Sequence, residues 1–98
     1  MKTIYKYPLA ISAELSIAMP TGAIPLYVSA QGDTLMLWAL VDTDQPHQVR
    51  HFHVYGTGHP IDEKSYDGPL DIVASYIGTA FMYDGTLVWH VFEAPNAR

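Results

Sequence analysis

The chain contains no cysteine. Disulfides, thiolate metal sites and cysteine nucleophiles are therefore excluded. Charge is scarce too. Asp, Glu, Lys and Arg make up 15% of the 98 residues, against about 25% in ordinary soluble domains. Five of these are basic (Lys2, Lys6, Arg50, Lys64 and Arg98) and ten are acidic, for a net charge of −5. So few cations argue against binding along DNA or RNA, which needs many contacts from Lys and Arg to phosphate. A small anion remains open, since one or two placed cations and some backbone N–H groups suffice for it. No apolar run approaches the roughly 18 residues that span a bilayer. The opening MKTIYKYPLA also lacks the apolar stretch of a secretory signal. A cytosolic (cytoplasmic) protein is expected, with neither a membrane nor a long nucleic acid as partner.

What is abundant is apolar surface: 49% of residues are hydrophobic. The length suggests one domain over 1–98. A chain this small has only a modest core, so some apolar area should stay on its surface. Covering that area between copies makes a homo-oligomer the expected state.

Turn signals recur about every ten residues, with short β-branched and aromatic runs between them. KTIYKYPL at 2–9 alternates as a strand, with Lys2, Ile4 and Lys6 on one face and Tyr5 and Tyr7 on the other. ELSIAM at 14–19 alternates again, and PTG at 20–22 is a turn. AIPLYVSAQ at 23–31 is a third strand, with Pro25 near its edge or start. QGD at 31–33 is a tight hairpin, Gly32 supplying positive φ. TLMLWALV at 34–41 is apolar on both sides, the pattern of a central strand covered on both faces. After a loop at 42–47, VRHFHVY at 49–55 alternates cleanly. The stretch 56–71, with four acids and two prolines, has no periodicity and reads as a long functional or mobile loop. Strand character returns at 72–83, whose first part also suits a helical turn. Asp84-Gly85 marks a hairpin, TLVWHVFE at 86–93 is the last strand, and APNAR is a polar tail that should fray. The expected fold is all-β: a small antiparallel sandwich or open barrel of about seven strands, without an amphipathic helix.

IYKYPL, MPTGA, LWALVD, YGTGHPI, YIGT and LVWHVFE occur in this order along the chain. Together they resemble a small, poorly characterised family of phages, prophages and bacteria. That resemblance carries no activity. It implies a phage-type protein acting inside a bacterium, where such proteins often counter host defence by binding a signalling nucleotide or a host protein.

The residues offer one favoured site. Gly56, Thr57, Gly58 and His59 at a strand end can present successive N–H groups to an anion. Thr57 adds a hydroxyl and His59 a ring N–H. Arg50, on the strand leading in, would balance charge through its bidentate fork. Tyr55 or Trp89 would stack on a base. The plainer reading is that the glycines permit a turn and that Arg50 is a surface cation beside the acids of 42–44. Trp38 and Phe52 are expected in the core. Tyr5, Tyr7, Tyr55 and Trp89 divide between core, subunit interface and ligand wall.

A metal site is the main rival. His51 and His53 project from one strand face, and His59 or His90 could complete a three-histidine zinc centre. That spacing is common in strands, however, and no HExxH is present. Asp62, Glu63, Asp67 and Asp71 could serve as bases but read as a solvated loop. No GxSxG elbow exists. The resulting expectation is a non-enzymatic binding protein without cofactor, which sequesters a small anionic nucleotide-like ligand or blocks a host protein. The alternatives are a metal-dependent enzyme and a structural or accessory phage component.

Overall fold

The computed structural model describes residues 1–94. Seven strands form two antiparallel sheets. They are β1 (Lys2–Leu9), β2 (Leu15–Pro20), β3 (Ile24–Gln31), β4 (Thr34–Asp42), β5 (His47–Gly56), β6 (Tyr76–Met82) and β7 (Leu87–Glu93). One sheet has the order β1-β4-β3 and the other β2-β5-β7-β6. The sheets stack as a sandwich and do not close into a barrel, as the alternating strands predict. The expected tail at 95–98 lies outside the described residues.

Alternation decides which side chains enter the core. Leu35, Leu37, Ala39 and Val41 of β4 point inward and are buried. Phe52 and Val54 of β5, with Met19 and Val91, meet them from the other sheet. Gly78 of β6 lies against Val28 of β3, where an added Cβ would stand 3.3 Å from the valine Cβ. That close approach joins the sheets along one side.

β4 is central in its sheet, yet only its inner face is covered by the other sheet. Trp38, expected in the core, lies on the outer face beside Tyr27 and is half-buried. The physical reason is parity: Trp38 alternates with the buried Leu37 and Ala39.

The turns follow the glycines. Gly32 has φ 61° in a two-residue hairpin between Gln31 and Thr34. The Asp84-Gly85 hairpin is longer than the dipeptide suggests, since Met82 pairs with Leu87. Tyr83, Asp84 and Gly85 all take positive φ, at 51°, 56° and 85°.

The stretch 56–71 is neither plain loop nor unpacked. Asp62 caps a 3-10 turn at Glu63–Ser65, its side chain accepting from the Lys64 N–H at 3.3 Å. A short helix, α1 (Pro69–Ala74), then opens with proline at its first turn. It ends before residue 76, so the strand expected from 72 starts later. This segment folds over the outer face of the four-stranded sheet, where Tyr66 joins Tyr55 and Phe92, with Ile61 and Ile72 packed alongside. Among the described residues no helix is long and apolar enough to cross a membrane.

Candidate functional site

The GTGH loop leaves the end of β5, and its two glycines do different jobs. Gly58 has φ 87°, a left-handed turn that a side chain disfavours. Gly56 instead makes room. The His59 ring folds back onto it, and a Cβ at position 56 would lie 2.7 Å from His59 Cε1. The Gly56 N–H donates to His59 Nδ1 at 3.2 Å. A ring that accepts at Nδ1 carries its proton on Nε2 when neutral.

The loop's amides are largely spent on the chain itself. Besides the Gly56 N–H, the Thr57 N–H donates to Val88 O at 3.4 Å and the His59 N–H to Gly56 O at 3.0 Å. A row of free amides for an anion, expected from the sequence, is therefore not on offer. Thr57 and His90 are engaged as well. Thr57 Oγ1 bonds His90 Nε2 at 2.7 Å, and His90 Nδ1 bonds Thr79 Oγ1 at 3.0 Å.

Arg50 does not join this loop. Six residues of strand, about 20 Å, separate it from Gly56. It shares the inward parity of Phe52 and Val54. There its Nε and Nη2 pair with the Glu93 carboxylate, the latter at 2.8 Å, and Nη1 donates to Ala23 O at 2.8 Å. It is a structural ion pair, because its fork is already filled.

What the fold assembles beside the loop is a rim cleft of about 380 Å³, lined by Ile11, Ser12, Ala13, Val54, Tyr55, His59, Pro60 and Trp89. Of the seven favoured residues, Tyr55, His59 and Trp89 meet here. Gly56 and Thr57 line a recess of about 170 Å³ that shares His59 and Trp89. Gly58 lines a third, of about 240 Å³. No lysine or arginine lines any of them among the described residues. The His59 and Trp89 rings meet edge to face at 6.3 Å.

Trp89 holds the most telling atom. Its indole Nε1 is buried and is the one buried side-chain donor or acceptor without a partner among the described residues. Leaving such a donor unmet costs about 1–3 kcal/mol, and it marks a place where an acceptor is wanted. Tryptophan in a β run signals core; only the packing reveals the orphaned N–H.

A second cleft, of about 290 Å³, is lined by Glu14, Ser16, His51, His53 and Ser65 among others. Its polar groups bond one another. Ser16 Oγ bonds His51 Nδ1 at 3.0 Å, and Ser65 Oγ donates to Asp62 Oδ2 at 3.1 Å. His53 Nδ1 is held by Tyr66 OH at 2.7 Å and Tyr55 OH at 3.1 Å. Burial raises the pKa of both phenols, so they stay protonated. His59 lines different clefts from His51 and His53, and no group of three or more His, Asp or Glu side chains among the described residues is arranged to hold a metal.

His53 is 5% exposed, and burial lowers its pKa, with Glu14 and Asp62 partly opposing. The unfolded chain therefore binds the proton first as pH drops below about 6.5. Stability should fall from there until the folded His53 itself protonates. Melting temperatures between about pH 8 and pH 5 should show this decline, and His53→Gln should flatten it. Equal slopes in both chains would reject His53 as its source.

No curated protein and no solved structure matches the chain. Its family model matches residues 1–98 in full, so the chain belongs to the family described as a domain of unknown function (DUF7352).

Proposed function

We propose that this protein is a non-enzymatic binding module whose rim cleft takes a small, flat, uncharged molecule with a hydrogen-bond acceptor at its edge. A nucleobase has that chemistry. The observation that carries the reading is that Trp89, whose buried Nε1 has no partner, lines an apolar cleft together with His59. The lining favours a ring over a phosphate, because three of its four loop amides are spent and Arg50 is paired elsewhere. In a phage-infected bacterium the role would be to sequester a base-bearing signal, recognised through its base.

The test is a thermal-shift panel of free bases, nucleosides and nucleotides. Bases or nucleosides should stabilise the chain at least as well as the matching nucleotides. Trp89→Phe keeps the ring but deletes the N–H, and should weaken binding about tenfold, the worth of one hydrogen bond. Gly56→Ala should displace the His59 ring and weaken binding too, with His59→Ala as a check that keeps the glycine. A flat panel, or stabilisation that requires the phosphate, would reject the reading.

A further inference from the structure

The outer face of the β1-β4-β3 sheet has no layer of the chain packed on it among the described residues, yet its centre is apolar. Register fixes its rows. Ile4, Leu40 and Ile24 form one row; Lys6, Trp38 and Tyr27 form the next. Ile4, Ile24 and Tyr27 are 56%, 55% and 62% exposed. Leu26, in the β-bulge beside them, is 49% exposed. An antiparallel sheet that leaves one face to water carries polar side chains there, whereas the outer face of β4 carries Met36, Trp38 and Leu40, and the single chain leaves it uncovered.

We infer that a second copy of this chain supplies the other cover, face to face, in a two-fold dimer. The rows say how. A two-fold axis along β4 places β1 of one copy over β3 of the other. Ile4 then meets Ile24, Leu40 meets Leu40 and Trp38 meets Trp38. Lys6 comes over the Tyr27 ring, an attractive pairing of cation and aromatic face. An axis across the strands through the Lys6 row would instead stack Lys6 on Lys6, which like charge opposes. The face thus complements itself about the axis along β4. In the single chain Lys6 donates to Gln31 Oε1 of β3 at 2.8 Å, so the dimer exchanges that contact for the ring.

Pairing through the free edge of β1 fits less well, since Lys2, Lys6 and Pro8 on that strand are devices that discourage strand addition. Size sets the strength. Three strands of about eight residues give a platform of roughly 14 by 26 Å, or about 370 Å² in plan. Side-chain relief enlarges that, but a standard interface takes about 800 Å² per partner. The dimer is therefore of the small, dissociable kind.

Sedimentation across about 1 to 200 μM tests this, the range in which such interfaces form. The natural chain should move from one to two chain masses as concentration rises. Ile24→Glu and Tyr27→Glu sit at exposed positions and should keep the melting temperature while weakening dimerisation at least tenfold. Val49→Glu, at a 60% exposed position on the other sheet, should leave it unchanged. A monomer throughout, or a dimer that survives Ile24→Glu and Tyr27→Glu together, would overturn the inference.

Discussion

Phe52→Ala is expected to cost about 3–5 kcal/mol, as buried phenylalanine truncations do. Phe52 is 0% exposed. It stands opposite Leu15 of β2 and Glu93 of β7, so its strand links both neighbours in the four-stranded sheet. Its ring fills the space between that sheet and the inward row of β4. A small domain has only about 5–15 kcal/mol in total. The variant should therefore be partly unfolded at room temperature or melt far below the natural chain. Urea denaturation followed by circular dichroism measures this. A loss under about 1 kcal/mol would mean that the core collapses around the cavity more readily than its packing implies.

Arg50→Met is expected to be the next most damaging, at about 2–4 kcal/mol. Removing one partner of a buried pair costs about 3–5 kcal/mol. The discount reflects side-chain exposures of 16% for Arg50 and 25% for Glu93. Two losses combine. Glu93 is left charged and unpaired, and Ala23 O, at the start of the strand after the 20–22 turn, loses its donor. Adding Glu93→Gln removes the stranded charge, so the double variant should be less unstable than the sum of the singles. Additive losses would show that the pair's charges are not coupled.

Strands are legible where one face is more buried than the other, since burial writes a period of two into the residues, as in β1. Residues 52–56 of β5 are buried on both faces, the outer one by the segment that follows, and β4 reads as an apolar run. That run also promised cover on both sides, which a sequence cannot apportion between a layer of its own chain and another molecule. The segment 56–75 was harder to read. Its helix is too short to show a period, and the Gly68-Pro69 step is the local signal that a helix begins there. The site was legible in part. Tyr55, His59 and Trp89 line one cleft, because β5 and β7 pair side by side and the loop after β5 folds back onto Gly56. Arg50 does not, since strand parity sends it inward while proximity in sequence pointed to the loop. The spent amides and the stranded indole N–H depend on packing among distant residues, and no local pattern records them.

The ring of His59 resting on bare backbone at Gly56 has a consequence for how this lineage can change. The two positions are not free to drift separately: a larger residue at 56 pushes the ring of 59 off its seat, whereas a change at 59 leaves the space over 56 open. Loss of the histidine should thus tend to come first, and any descendant that has abandoned it is released to lose the glycine.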